Sequence, residues 1–204
     1  MFKIAVLASG NGSNLQSIID NIENGFLNCK IEMIVGSKDK IYALERGKKH
    51  NIDTFVVSKK EYEKNISDKI LELAREKQID LIVLAGYLSI LDGEILKEYK
   101  NRIINIHPSL IPAFCGDKMY GLNVHKAVID RGVKVSGCTV HFVNDEVDGG
   151  EIILQETVPV YFEDTKEKLQ QRILEKEHKL LPLAIKYISE GKIEIKSGRV
   201  NILK

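Results

Sequence analysis

An asparagine and a histidine stand two residues apart at the end of an apolar segment in the middle of the chain. Residues 103–110 have the sequence IINIHPSL, and the run before the proline has the apolar character of a buried strand. Side chains two residues apart on a strand point to the same face, so Asn105 and His107 can act together. Pro108 disfavours helical backbone at His107 and keeps the pair extended. An amide that donates to a developing oxyanion and an imidazole that moves a proton are groups suited to acyl transfer.

A carboxylate is the expected third member of this group, because it would orient the imidazole and raise its pKa. The loop at 143–150 contains the acids Asp145, Glu146 and Asp148, and spacing alone does not choose among them. Asp148 is the best candidate, since two glycines follow it and permit a close backbone approach to a ligand. The alternative interpretation of His107 is a buried histidine with a structural role only.

A glycine-rich loop, Gly10-Asn11-Gly12-Ser13-Asn14, follows the first apolar segment. Such a loop before a helix presents N–H groups and the positive end of the helix dipole to an anion, usually a phosphate. The dinucleotide fingerprint is incomplete because Leu15 replaces its third glycine, and the Gly-Lys-Ser/Thr ending of a P-loop is missing. A tight turn with a helix cap is the alternative, but a position after the first strand of an α/β sheet favours ligand binding.

The elements predicted around these residues alternate between strands and helices over the first two thirds of the chain. We predict strands at 3–8, 31–35, 54–57, 80–85 and 102–106, with helices at 14–23, 42–50 and 62–77. Continuous apolar strands of this kind are typical of a parallel sheet covered on both faces. The last third predicts antiparallel strands at 133–143 and 151–160, a helix at 165–189 bent or interrupted at Pro182, and a hairpin at 193–203. The fold class is therefore α/β: a Rossmann-like, mostly parallel sheet flanked by helices, with an antiparallel extension.

Composition narrows the classes of function that fit the chain. Its 204 residues suit one α/β domain, and a net charge of +1 gives no reason to expect a nucleic-acid or membrane partner. The three cysteines form no CxxC pair and are expected to be reduced, buried thiols, so we expect a cytoplasmic protein. His107, His125, His141 and Asp148 do not have the local spacing of a zinc site, so we expect no metal.

Several motifs together resemble a known family. They are SGNGSNLQ at 9–16, LAGY at 84–87, NIHPSL at 105–110, VHFV at 140–143 and DGG at 148–150. In this order they resemble the phosphoribosylglycinamide formyltransferases, a family of folate-dependent formyl transferases, over almost the whole chain. The NIHPSL motif with a later Asp is shared by formyltetrahydrofolate-using transferases and deformylases, whereas the SGNGSN loop is more particular to the glycinamide ribonucleotide enzymes. The resemblance implies one formyltransferase domain, 1–204, with a phosphate-binding half at 1–100 and a catalytic and folate-binding half at 101–204.

The resemblance also implies an activity. The formyl group of the co-substrate 10-formyltetrahydrofolate would pass to the amine of glycinamide ribonucleotide, in de novo purine biosynthesis, by direct attack through a tetrahedral intermediate. Asn105 and protonated His107 would stabilise the oxyanion, while Asp148 would keep His107 charged and help to move the amine proton. No metal takes part, and the expected assembly is a monomer or a weak homodimer.

Binding residues follow from the same resemblance. Glycinamide ribonucleotide would be held by Gly12, Ser13, Asn14 and Glu177. The folate would be bound by Lys64, Leu88, Ser89, Ile90, Leu91, Asn105, Asn144, Asp145, Glu146, Val147 and Asp148. The segment 114–121 is expected to be mobile and to border the active site.

Three other functions are alternatives to formyl transfer to glycinamide ribonucleotide. A formyltetrahydrofolate deformylase would share the catalytic residues but would carry a regulatory domain before the first strand, which here begins at about residue 3. A methionyl-tRNA formyltransferase would need a further C-terminal domain and a basic surface for RNA. A nucleotide-sensing module would use only the glycine loop, which leaves the Asn105 and His107 pair unexplained.

Overall fold

Continuous apolar segments form the strands at the centre of the protein. A computed structural model describes all residues, 1–204. The parallel strands are β1 (Phe2–Ala8), β2 (Cys29–Gly36), β3 (Asp53–Val56), β4 (Leu81–Leu84) and β5 (Ile103–His107). The antiparallel strands β6 (Val135–Phe142) and β7 (Ile152–Pro159) extend the sheet, whose order is β3-β2-β1-β4-β5-β6-β7. Strands β8 (Ile193–Lys196) and β9 (Arg199–Ile202) form a separate hairpin. The predicted fold class is confirmed.

Alternating residues of the strands enter two separate cores, one on each face of the sheet. In β1, Ile4 and Val6 belong to one core, whereas Ala5 and Leu7 belong to the other. Both faces are therefore removed from water, and this is why the strands have no polar alternation.

The helices are α1 (Ser13–Glu23), α2 (Tyr42–Lys49), α3 (Lys59–Tyr62), α4 (Ile66–Glu76), α5 (Glu94–Glu98), α6 (Leu122–Arg131) and α7 (Lys166–Ser189). The helix predicted at 62–77 is confirmed over Ile66–Glu76 but not at its start, because the chain turns at Glu63 with a φ of 46°. Helices α5 and α6 were not predicted. None of the seven helices combines the length and the apolar character needed to cross a bilayer.

Helix α7 runs through Pro182 without a break, so the predicted interruption did not occur. A proline has no N–H, and the carbonyl four residues earlier, that of His178, loses its usual donor. The hydroxyl of Ser17 on α1 donates to this carbonyl at 2.5 Å. A side chain of α1 thus satisfies the group that Pro182 leaves free, and the two helices are tied together at this point.

The order of the strands creates a crevice between β1 and β4. From β1 the chain proceeds to β2 and β3 on one side, and then returns to β4 and β5 on the other. The loops that follow β1 and β4 diverge at such a switch point, and ligands of open α/β sheets bind there.

Candidate active site

A cavity of about 580 Å³ opens at the carboxyl ends of the strands, beside this crevice. Loops after β1, β4, β5 and β6 form its wall together with one side of α7. The predicted residues on the wall are Asn14, Leu88, Ser89, Ile90, Leu91, Asn105, His107, Asn144, Asp145, Glu146, Val147, Asp148 and Glu177. Gly116–Gly121 also lines the cavity, so the segment 114–121 does border the site as predicted.

Three predicted binding residues lie off this wall. Lys64 is exposed between α3 and α4, where the structure shows no contact with the cavity. Gly12 and Ser13 lie half-buried at the start of α1. Gly12 has a φ of 72°, and a Cβ there would lie 2.8 Å from the Cβ of Ala43, so this position requires glycine. No side chain caps α1, which leaves its first N–H groups available to an anion.

His107 lies between a carboxylate and a backbone carbonyl. Its Nδ1 is 3.5 Å from Oδ2 of Asp148, and its Nε2 is 2.9 Å from the carbonyl oxygen of Phe114. Because a carbonyl can only accept, Nε2 carries the hydrogen and donates it. The second proton of the imidazole therefore binds at Nδ1, on the side of Asp148.

Burial has opposite consequences for the two partners of this pair. It lowers the pKa of His107, and the carboxylate of Asp148 and the Phe114 carbonyl, which act in the opposite direction, do not fully offset it. Burial also tends to raise the pKa of Asp148, but the Gly116 N–H that donates to its carboxylate and the charge of His107 act in the opposite direction, and that pKa lies below the usual range. The predicted effect of the carboxylate is confirmed, since Asp148 acts to raise the pKa of His107, but burial outweighs it and leaves this pKa below its usual value. The sequence does not show how deeply the imidazole is buried.

The amide of Asn105 is oriented by a second histidine. Strand register pairs Asn105 with His141, whose Nε2 accepts from the amide nitrogen at 3.1 Å. The Nδ1–H of His141 donates to the carbonyl of Phe142 at 2.7 Å, which fixes this tautomer. Only one of the two amide hydrogens of Asn105 is thereby used. The orienting role of His141 was not predicted, although an isolated histidine in the apolar run of β6 was a signal for it.

Backbone geometry brings Asp148 to His107. Asp148 has a φ of 56°, and its Oδ2 accepts the N–H of Gly116 at 2.9 Å. A Cβ on Gly150 would lie 1.9 Å from the carbonyl oxygen of Phe142, so the chain can pass this close only with glycine. Of the three acids of the loop, the structure therefore brings Asp148 to His107, while the close approach of this backbone to a ligand stays a prediction.

A buried carboxyl group is hydrogen-bonded to the last residue of the glycine loop. The amide nitrogen of Asn14 donates to Oε2 of Glu177 at 2.7 Å, while the amide oxygen of Asn14 is buried without a partner. Burial raises the pKa of Glu177 to about 7, and the bond from Asn14 offsets this only in part. The side chain of Asn14 is thus engaged with Glu177, and the pair presents acceptors suited to hydroxyl or amine donors.

The other candidates for catalysis are metal-binding side chains and the three cysteines. No group of three His, Cys, Asp or Glu side chains is placed to bind a metal ion. Burial raises the pKa of Cys29 to about 11 and that of Cys138 to about 12, so these thiols remain protonated. Cys115 is half-buried rather than buried as predicted, and its thiol donates to the carbonyl of Pro112.

Comparisons of this chain with known proteins agree on one family. A family model described as formyl transferase matches residues 2–185. The chain belongs to the formyl transferase family. This formyl transferase is 41% identical to a phosphoribosylglycinamide formyltransferase of Haemophilus influenzae, over 97% of this chain and 92% of the relative.

Solved structures agree with this family. The crystal structure of glycinamide ribonucleotide transformylase 1 from Symbiobacterium toebii matches the formyl transferase with a TM-score of 0.94 and 40% identity, covering 100% of this chain and 95% of the other. A formyltetrahydrofolate deformylase from Pseudomonas syringae has a TM-score of 0.91 at 24% identity, over 100% of this chain and 66% of the other. That likeness shows a shared fold alone.

Proposed function

We propose that this formyl transferase moves the formyl group of 10-formyltetrahydrofolate to the amine of glycinamide ribonucleotide, a step of de novo purine biosynthesis. The observation that carries the proposal is the convergence of Asn105, His107 and Asp148 on the cavity that also contains Asn14 and Glu177. One cavity therefore contains an oxyanion donor, a proton-transfer pair and polar groups beside a phosphate-type loop.

The reaction needs an oxyanion donor and a proton acceptor, and the structure offers both. As the amine attacks, a C–N bond forms and the formyl oxygen becomes negative; the free amide hydrogen of Asn105 can donate to it. The proton lost by the amine passes to the His107 and Asp148 pair at Nδ1. The imidazolium that results lies between the Asp148 carboxylate and the Phe114 carbonyl. Collapse of the intermediate breaks the bond between the formyl carbon and N10 of the folate, and N10 leaves with the proton that the imidazolium gives back.

Substrate binding divides between two sides of the cavity. The N–H groups at the start of α1 suit the phosphate of the ribonucleotide, because no side chain caps that helix. Asn14 and Glu177 suit its hydroxyl or amine donors. The segments 88–91 and 144–148 form the opposite wall, and we assign them to the folate.

A single assay separates transfer from hydrolysis. The protein is mixed with 10-formyltetrahydrofolate, with and without glycinamide ribonucleotide, and the tetrahydrofolate and formylated product are quantified. We expect folate product to form only with the ribonucleotide and in equal amount to the formylated ribonucleotide. Equally fast release of formate without the ribonucleotide would identify a deformylase and reject the proposal.

The buried carboxyl of Glu177 predicts a specific dependence of stability on pH. Its pKa rises from 4.5 in the unfolded chain to about 7 in the folded protein, so its contribution is present below pH 4.5 and lost as the pH rises through 7. Between pH 5 and pH 8 this loss is about 2.5 kcal/mol in the free energy of unfolding. Glu177→Gln should remove that part of the decrease, measured by denaturant titration at several pH values. The exposed Glu175→Gln is the control; an unchanged pH profile in the Glu177 variant would contradict the assignment.

A further inference from the structure

The backbone that follows His107 turns back and holds both members of the proton-transfer pair. The carbonyl of Phe114 accepts from Nε2 of His107, and the N–H of Gly116 donates to Asp148. Phe114 has a φ of 53°, a left-handed conformation that is costly for a side chain of this size. Such a conformation persists only where the surroundings impose it. Some other group must therefore hold this turn, residues 113–116, in place.

Ser109 is the side chain that holds the turn. It is fully buried, and its hydroxyl donates to the carbonyl of Ala113 at 2.6 Å, with the carbonyl of Phe114 at 3.2 Å. The hydroxyl thus contacts two successive carbonyls, the second of which orients His107. Without this hydroxyl, the carbonyl of Ala113 would lose its side-chain donor.

A row of paired residues across three strands connects Ser109 to the edge of the sheet. His107 pairs with Thr139 on β6, and Thr139 pairs with Gln155 on β7. The hydroxyl of Thr139 donates to the carbonyl of Ser109 at 2.7 Å and accepts from the amide of Gln155 at 3.0 Å. The same amide donates to the carbonyl of Ile111 at 3.0 Å. The backbone on either side of Leu110 is therefore fixed by side chains of the sheet.

We infer that Ser109 is a positioning residue for the reaction: through the Phe114 carbonyl it fixes His107 with Nδ1 toward Asp148, and Gln155 supports it from the edge strand. The expected effect of Ser109 on kcat rests on the proposed function. Its structural consequence, the Nε2–H tautomer of His107, is independent of any substrate.

The first test replaces Ser109 by alanine and follows both the tautomer and the kinetics. Nitrogen chemical shifts of the labelled histidine ring should show the Nε2–H tautomer in the wild type and a mixture in Ser109→Ala. We expect kcat to fall about 10- to 100-fold, as for other residues that orient a catalytic group, with both KM values within about threefold. The pKa of His107 should fall further, because the Phe114 carbonyl favours its charged form. The other groups that act on this titration are Asp148, His141 and His125.

Further variants keep the test decisive if Ser109→Ala does not fold. Ser109→Cys retains a weak donor and should restore part of kcat, while Gln155→Leu, on the exposed face of β7, should lower kcat by about threefold to tenfold. Thr157→Ala, two residues along the same strand, is the control and should leave both readouts unchanged. The inference would be overturned if Gln155→Leu and either Ser109 variant kept the wild-type tautomer and a kcat within twofold of the wild-type value. If the wild type shows this tautomer but transfers no formyl group, the proposed function fails while the positioning stands.

Discussion

Replacement of His107 by alanine is expected to lower kcat for formyl transfer by about 100- to 10,000-fold, the range typical of a lost acid–base group. The imidazole is the only group in the structure placed between Asp148 and the Phe114 carbonyl, at 3.5 Å and 2.9 Å. The measurement is single-turnover formation of formylated ribonucleotide at saturating substrates.

The substrates should still bind to this variant, because the start of α1 and the pair of Asn14 with Glu177 are unaffected. The dissociation constant of glycinamide ribonucleotide, measured by calorimetry, should therefore stay within about threefold. His50→Ala is the matched control, since His50 pairs only with Glu23 outside the cavity. Wild-type turnover in the His107 variant would remove His107 from the mechanism.

Asp148→Asn is expected to lower kcat by at least about 100-fold, because the neutral amide cannot stabilise the imidazolium formed at Nδ1. It should also move the pKa of His107 to a still lower value. Among the groups that raise this pKa, the Asp148 carboxylate has the largest effect. When it is removed, less remains to offset the lowering of the pKa by burial. Titration of the His107 ring by NMR measures the shift directly, and the acid limb of the pH–rate profile should move to lower pH with it.

The sign of this shift is the decisive part of the prediction. An upward shift, or none, would mean that Asp148 does not act on His107 electrostatically. Asp130→Asn serves as the control, since Asp130 is exposed on α6 and pairs only with Lys126. That variant should change neither kcat nor the titration of His107.

The sequence predicted the sheet and the shared face of Asn105 and His107 because both depend on local patterns. Continuous apolar runs identified the strands, and a spacing of two placed Asn105 and His107 on one face. The choice of Asp148 rested on the glycines that follow it, and the structure shows that Gly150 lets the chain pass close to the Phe142 carbonyl, where a Cβ would lie 1.9 Å from the oxygen.

Other parts of the site had no local signal. The Phe114 carbonyl and the Gly116 N–H are backbone groups that every residue has, so their contacts with His107 and Asp148 depend only on the course of the chain. The pKa of His107 depends on burial, which is a property of the whole fold. The break at Glu63 was missed because the apolar pattern of α4 extends into a segment whose backbone is left-handed at one residue.

The bond between Asn14 and Glu177 joins residues that are 163 positions apart, and this has a consequence for protein synthesis. Asn105, His107 and Asp148 have all left the ribosome well before the long helix that carries Glu177 and ends at Ser189. A growing chain can therefore assemble the groups that move the proton before it can complete the pocket for the acceptor. Formation of that pocket must wait for the synthesis of α7, which contacts Asn14 and Ser17 of α1.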